Sequence, residues 1–388
     1  MGTADETPRR RLSVALLYTA TLANFTVVAI YLLGVQLYLA GPVGGTPADI
    51  GITLLAFSVS AILLRPVVGQ GIDRIGRRPF LIAAFVILVT SSLAFVLATS
   101  VVAVVALRMI QGVSSAMYYT VGVTIGIDLA RPERRAAAIS HFSIFLYGGL
   151  GLGPVIAEWV LPLGGFRAVW WTAAGLSAIG LACVLAIPET GRTESRNRTR
   201  PKLRLLHPAA IPTGLILTAP SLGLAGISGF GALYAAEVGL SGGTPVYVAF
   251  SGTMVLVRLL FAGVPDRLGL HRVALPGLAV CIVALLLLAM PRAPWFAIVG
   301  AGLFAIGYAF LFPSLLVLTL ARVPDGERAE ATGTYSSFLD VSLGGGGYLV
   351  GLLISTVGFG LGFGVPAGLT LVAMVALHLD RRRDEHIA

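Results

Sequence analysis

Long apolar runs, separated by short polar or basic stretches, recur along the whole chain of 388 residues. Most runs hold about 20 apolar residues, the length that an α-helix needs to cross the hydrocarbon core of a bilayer. They predict twelve membrane spans, at residues 12–39, 48–70, 79–98, 101–127, 136–160, 168–187, 209–235, 244–264, 272–290, 294–320, 329–355 and 359–379. The predicted fold is therefore an all-α membrane protein.

One polar segment interrupts this pattern. Residues 188–208 read PETGRTESRNRTRPKLRLLHP, which is basic and bounded by prolines. It predicts a linker between an N-terminal half at 1–187 and a C-terminal half at 209–388, each a bundle of six helices. Lys and Arg concentrate in cytoplasmic loops of membrane proteins. Only Arg167 and Arg292 fall in loops on the side opposite the linker. The linker and both termini are therefore expected to be cytoplasmic.

Composition supports the bilayer. Hydrophobic residues make up 56% of the chain and charged residues 12%, whereas a soluble domain carries about 25% charged residues. The net charge of +9 is explained by the cytoplasmic loops, so no nucleic-acid partner is expected. The two cysteines, Cys183 and Cys281, lie inside apolar runs. They predict neither a disulfide nor a metal site, and no cofactor is expected.

The two halves repeat one another. Residues 65–76 read RPVVGQGIDRIG and residues 258–269 read RLLFAGVPDRLG, so an offset of 193 aligns Arg65 with Arg258 and Asp73 with Asp266. The same offset aligns Gly151 with Gly344. Duplicated halves are typical of secondary transporters whose substrate site lies between the repeats.

Three motifs point to a family. The loop Gly69–Arg78, which reads GQGIDRIGRR, resembles the signature loop of the major facilitator superfamily. Residues 108–112, RMIQG, resemble its second motif, and residues 149–154, GLGLGP, resemble the motif of its drug–proton antiporters. Ala157 and Glu158 stand where that last motif expects a glycine pair. The resemblance implies a proton-coupled exporter rather than an enzyme, with Gly149, Gly153 and Pro154 in helix packing.

The signature loop supplies one group of candidate functional residues. The resemblance implies that its charged residues act as a gate, because charge-assisted hydrogen bonds between them and a neighbouring helix are strong. The gate candidates are Asp73, Arg74, Arg77, Arg78 and Asp128. The alternative is that these arginines only hold the loop in the cytoplasm.

A second group consists of charges inside the spans, which are costly and must face protein or water. Asp340 is the only acid deep inside a predicted span, so it is expected to be paired or protonated. We hypothesise that Arg65 and Asp340 form a proton-linked pair; a static ion pair is the alternative. Arg108 is expected either to influence proton transfer or to form a structural hub with Gln111.

Polar and aromatic residues in the spans predict a cavity for an amphipathic substrate. They are Asn24, Tyr31, Gln36, Tyr118, Tyr119, Tyr147 and Arg258. Ordinary packing is the alternative for the aromatic residues. Arg258 is expected to bind backbone carbonyls or an anionic group of the substrate.

The sequence as a whole favours a monomeric exporter of a small molecule in the cell membrane, driven by protons. An importer or facilitator on the same scaffold stays open. An intramembrane serine protease is a distant alternative, suggested by Gly226-Ile227-Ser228-Gly229. A P-loop needs Gly-Lys before Ser or Thr, but the sole lysine, Lys202, follows Pro201, so ATP hydrolysis by such a loop is excluded.

Overall fold

A computed structural model describes residues 8–128, 135–189, 207–261, 270–290, 293–324 and 327–387. Within these ranges the protein is almost entirely helical and contains no β-strand. The prediction of an all-α protein is therefore confirmed.

Twelve α-helices follow one another along the described chain. They are α1 (Pro8–Tyr38), α2 (Pro47–Ile75), α3 (Arg78–Phe95), α4 (Val101–Asp128), α5 (Arg135–Ala186), α6 (Ile211–Glu237), α7 (Thr244–Phe261), α8 (Leu270–Leu288), α9 (Pro294–Tyr308), α10 (Leu311–Leu320), α11 (Arg328–Val357) and α12 (Phe359–Ile387). A short π-helix, Leu39–Val43, extends α1, and a 3₁₀ turn, Pro208–Ala210, precedes α6.

These helices do not correspond one to one with the predicted spans. Ten described helical stretches are long and apolar enough to cross a bilayer. One of them is the long stretch 141–186 within α5, and another, Pro294–Leu320, joins α9 to α10. The prediction of twelve spans requires in addition that α5 cross twice and that the shorter apolar helix Arg272–Leu288 cross once.

The break in α5 has a local cause. Gly164 and Gly165 depart from helical geometry, and Gly165 has φ of 64° and ψ of −164°. A side chain disfavours positive φ, whereas glycine tolerates it. Pro162 lies just before the pair, and proline removes a helical hydrogen-bond donor. The break falls in the predicted loop between residues 160 and 168.

Packing groups the chain into two compact units. The first contains residues 1–34 and 59–200, and the second contains residues 35–58 and 201–388. The predicted domain boundaries at residues 187 and 209 remain a prediction, since residues 190–206 lie outside the described chain. In the first unit the ring of Trp170 stacks on Tyr31 with centroids 5.2 Å apart. In the second, Phe304 stacks on Tyr308 at 5.5 Å.

Candidate functional site

The loop between α2 and α3 is fixed by a residue that the sequence did not single out. The carboxylate of Glu189, just beyond α5, accepts hydrogen bonds from the backbone N–H groups of Arg77 at 2.9 Å and Arg78 at 3.0 Å. These are among the first N–H groups of α3, which have no partner within the helix. A carboxylate also suits the positive end of the helix dipole. Glu189 therefore caps α3.

Gly76 makes this cap possible. Its φ is 101°, in the region that favours glycine. A Cβ atom at this position would also lie 2.7 Å from Oε2 of Glu189. The chain thus turns tightly and brings the carboxylate against the start of α3.

Of the predicted gate residues, the structure describes the side chains of Arg77 and Arg78. The guanidinium of Arg78 donates to the carbonyl oxygen of Leu185 at 2.6 Å, which ties α3 to the end of α5. The side chains of Asp73, Arg74 and Asp128 lie outside the described part of the protein. Their role in a gate stays a prediction. The one sequence feature that could have drawn attention to Glu189 is its position as an acidic residue just after the sixth predicted span.

Arg108 is deeply buried in α4, with 2% of its surface exposed. Its Nη1 donates to Oε1 of Gln111 at 2.9 Å. The two residues are three positions apart on a helix, which brings their side chains together. This contact is the hub foreseen as one of two roles for Arg108. A role in proton transfer stays a prediction.

Two of the predicted cavity tyrosines are buried within the first unit. Tyr31 packs against Phe95 with ring centroids 4.7 Å apart, in addition to its stack on Trp170. The hydroxyl of Tyr118 lies 2.9 Å from Oγ1 of Thr21, so a hydrogen bond joins α4 to α1. Both tyrosines are almost fully buried, and their lining of a substrate cavity stays a prediction.

Tyr119 and Arg65 lie together in the first unit. The Arg65 guanidinium carbon is 5.4 Å from the centre of the Tyr119 ring, a cation–π arrangement. Arg65 is half-buried. An arginine within a span faces protein or water rather than lipid, so this surface belongs to the interior side of the unit. The pairing of Arg65 with Asp340 stays a prediction.

The antiporter-like motif packs against α1. A Cβ atom at Gly149 would lie 2.8 Å from the Leu22 carbonyl oxygen, and one at Gly153 would lie 2.5 Å from that of Thr26. No side chain fits at either position, so the backbones of α1 and α5 are in direct contact. Small residues permit such close approach between membrane helices. Pro154 continues the helix beside them.

A second close contact lies within the second unit, between residues 47–58 of α2 and residues 344–351 of α11. A Cβ atom at Gly51 would lie 2.8 Å from Cα of Tyr348. One at Gly351 would lie 2.7 Å from the carbonyl oxygen of Pro47. The side chain of Leu54 fills the space over Gly347. We call this contact the α2–α11 seal.

Gln36, predicted to line a cavity, is instead fully buried and hydrogen-bonded within the second unit. Its exposed fraction is 1%. Its Nε2 donates to the hydroxyl of Tyr247 at 2.7 Å. Its side-chain amide is also hydrogen-bonded to the backbone of Ser228 and Ala232 in α6.

The other predicted residues lie apart from these contacts. Arg258 donates to the carbonyl oxygen of Ala309 at 3.4 Å, one of the two roles foreseen for it. Asp340 is half-buried on α11, Asn24 is buried on α1 and Tyr147 is half-buried on α5. In the described chain, no group of three His, Cys, Asp or Glu side chains could hold a metal ion.

Comparison with known proteins decides the family. The sequence profile of the Major Facilitator Superfamily matches residues 17–250 and 235–387. The chain belongs to the Major Facilitator Superfamily. It is therefore a multi-pass membrane transporter by family, and the distant reading as a serine protease loses its support.

Relatives in this superfamily match over nearly full length. The uncharacterized MFS-type transporter YhhS of Escherichia coli is 26% identical over 388 residues, covering 98% of this chain and 95% of that protein. An uncharacterized MFS-type transporter of Pseudomonas aeruginosa is 28% identical over 383 residues, covering 95% and 94%. These relatives support transport without naming a substrate.

Solved structures of the superfamily share the fold. The nucleoside transporter NupG superimposes with a TM-score of 0.74 at 16% identity, over 95% of this chain and 98% of NupG. The human organic anion transporter MFSD10 gives 0.71 at 19% identity, over 96% and 100%. At these identities the likeness establishes the fold alone.

Proposed function

We propose that this transporter exports a small organic molecule across the cell membrane in exchange for protons, as a monomer with both termini in the cytoplasm. The mechanism is alternating access, in which the two sides of the membrane are opened in turn. The antiporter-like motif supports export, since Gly149 and Gly153 pack where no side chain fits.

The observation that carries alternating access is the α2–α11 seal. Gly51 and Gly351 meet their neighbours backbone to backbone, and the side chain of Leu54 packs over Gly347. Glycines permit such close approach between membrane helices, and in this proposal the contact separates and closes again during the transport cycle. In the orientation that we propose from the positive-inside rule, this seal lies toward the outside and belongs to a state closed on that side.

Protons supply the energy in this proposal, and Asp340 is the proposed proton carrier. A charge crossing 100 mV contributes about 2.3 kcal/mol, and one pH unit adds about 1.4 kcal/mol. A single proton then supports a substrate gradient of roughly a few hundred-fold. Arg65 and Arg108 would modulate the charge state of Asp340.

The alternative is an importer or facilitator on the same scaffold. The fold is shared with a nucleoside transporter, so nucleosides belong in any substrate screen. The screen measures toxicity and accumulation of compounds in a transporter-deficient host, with and without an uncoupler.

The decisive experiment uses a compound identified by that screen, in inverted membrane vesicles. Export predicts accumulation inside the vesicles when their interior is made acidic, and loss of accumulation with an uncoupler. Asp340→Asn should abolish this accumulation but keep exchange of substrate down its own gradient. The matched control is Glu237→Gln, at an exposed position on α6, which should accumulate normally. Uphill transport by Asp340→Asn would rule out Asp340 as the carrier.

A further inference from the structure

Gln36 makes an unusual contact with the backbone of α6. Its Nε2 donates to the carbonyl oxygen of Ser228 at 3.1 Å, and its Oε1 accepts from the N–H of Ala232 at 3.2 Å. In a regular α-helix the N–H of residue 232 bonds to the carbonyl of residue 228. The amide of Gln36 therefore bridges the two groups that one helical hydrogen bond would join.

Tyr247 of α7 completes the arrangement. Its hydroxyl accepts from Nε2 of Gln36 at 2.7 Å and donates to the Ser228 carbonyl oxygen at 3.2 Å. Both hydrogens of the Gln36 amide and its oxygen are thus used. The roles also fix which end of the amide is nitrogen, because only the oxygen can accept from Ala232 N–H.

The surrounding glycines make room for this contact. A Cβ atom at Gly231 would lie 3.1 Å from Cζ of Tyr247, and one at Gly243 would lie 2.9 Å from Cα of Ala232. Gly229 accepts the side chain of Leu54 from the α2–α11 seal. The segment 226–231, GISGFG, which looked like a protease motif, is therefore the docking surface for Gln36, Tyr247 and Leu54.

We infer that Gln36 is a reversible clamp that holds the outer side closed by hydrogen-bonding its amide to the Ser228–Ala232 turn of α6. This inference rests on the proposed function, because it assumes that the α2–α11 seal faces the outside of the cell and that transport occurs by alternating access. α6 is continuous helix through this turn, so when Gln36 withdraws, Ala232 N–H and the Ser228 carbonyl keep each other as helical partners and neither is left unsatisfied. Water entering the opened side satisfies the Gln36 amide.

The presence of helical partners for both backbone groups explains how this buried polar contact can open readily. Leaving a buried donor or acceptor unsatisfied is more costly than the net value of the hydrogen bond itself. Here every group has a partner in both states, so only the difference between two satisfied arrangements opposes opening. Gln36 is thus a positioning residue for α6 and requires no contact with substrate.

The test measures access to the α2–α11 seal in intact cells and needs no substrate. A cysteine replaces Ser58, which is 6% exposed and packs on Gly344. The native thiols are removed by Cys183→Ser and Cys281→Ala. A membrane-impermeant maleimide is added outside, and labelling of the full-length chain is followed over time.

Loss of the clamp should open the outer side. Gln36→Leu loses three interhelical hydrogen bonds, and at the average strength of such bonds in membranes labelling should be roughly twentyfold faster. Gln36→Glu keeps the size but cannot make both donor hydrogen bonds, since a neutral carboxyl group has one donor hydrogen and a carboxylate has none, and it should also speed labelling. Tyr247→Phe removes the hydroxyl that makes two interhelical hydrogen bonds and should speed labelling roughly eightfold. These variants also decide the matter if Gln36→Leu does not fold.

The control is Thr213→Val, which removes a buried hydroxyl from the other end of α6, where it is bonded to Thr319. It should label as slowly as the parent. The clamp is overturned if Gln36→Leu and Gln36→Glu both label at the parental rate, or if Thr213→Val speeds labelling equally. Absence of proton-driven export with faster outside labelling would refute the proposed coupling and leave the clamp standing.

Discussion

The side-chain carboxylate of Glu189 accepts a hydrogen bond from the backbone N–H of Arg78 at 3.0 Å, so the end of the first unit caps the start of α3. The end of the superfamily's signature loop is thereby tied to a residue over a hundred positions away. A loop that is fixed in this way can transmit movement of α2 to α3 and α5.

Removing the cap should destabilise the protein. Loss of a helix N-cap costs about 1 kcal/mol, so Glu189→Ala should lower the midpoint of thermal unfolding by about 1 °C. Glu189→Gln keeps one acceptor oxygen, so its unfolding midpoint should lie between those of the parent protein and Glu189→Ala. Glu237→Ala, which removes an exposed carboxylate from α6, is the control and should leave the midpoint unchanged. Equal midpoints for all three variants would contradict the capping role.

The contact of α5 with α1 should tolerate no added carbon. In Gly153→Ala the new methyl group would meet the Thr26 carbonyl oxygen, so the helices must separate and thermal stability should fall. Gly175→Ala on the same helix meets nothing within 4 Å. Because alanine favours helix over glycine by about 1 kcal/mol, that control should be unchanged or more stable. A stable Gly153→Ala variant would show that the contact is not required.

Variants of Arg108 and Gln111 can distinguish a structural role of Arg108 from a role in proton coupling. Gln111→Leu removes the oxygen that accepts from Arg108 and should lower stability, since weakening a buried charged hydrogen bond costs about 1–3 kcal/mol. The double variant Arg108→Met with Gln111→Leu removes the charge as well and should recover stability. If Arg108 serves proton transfer, the double variant is stable but no longer couples transport to protons. Coupled transport by the stable double variant would make Arg108 purely structural.

Orientation can be measured directly with single cysteines in the background lacking Cys183 and Cys281. Thr46→Cys lies in the exposed turn before α2 and should react with an impermeant maleimide added outside cells. Ser195→Cys, in the predicted linker, should react only after the membrane is permeabilised. The reverse pattern would invert the orientation.

The sequence predicted the helices well because each membrane span is a continuous apolar run, which can be recognised in the sequence by itself. Twenty apolar residues between charged turns are visible without any tertiary contact, and the Gly164–Gly165 break coincides with the predicted loop between the fifth and sixth spans. The family motifs likewise predicted which residues merit attention, such as Arg108 with Gln111, which are neighbours on one helix.

The contacts made by distant residues could not be predicted in the same way. Gln36 and Ala232 are separated by 196 positions, and nothing in the local pattern distinguishes an amide that bridges a helix from one that lines a cavity. Tyr31 carried the same ambiguity, and the structure places it against Trp170. Which partner a polar side chain finds is set by the packing of helices, which one sequence does not specify locally.

The cap on α3 also constrains the order in which the protein is made. Arg77 leaves the ribosome 112 residues ahead of Glu189, so α3 enters the membrane with its first N–H groups lacking the carboxylate that later binds them. The loop can reach its final conformation only after α5 has been synthesised and inserted. Assembly of the first unit is therefore completed by nearly its last described residue, and a chain that stops before Glu189 would carry the signature loop without its restraint.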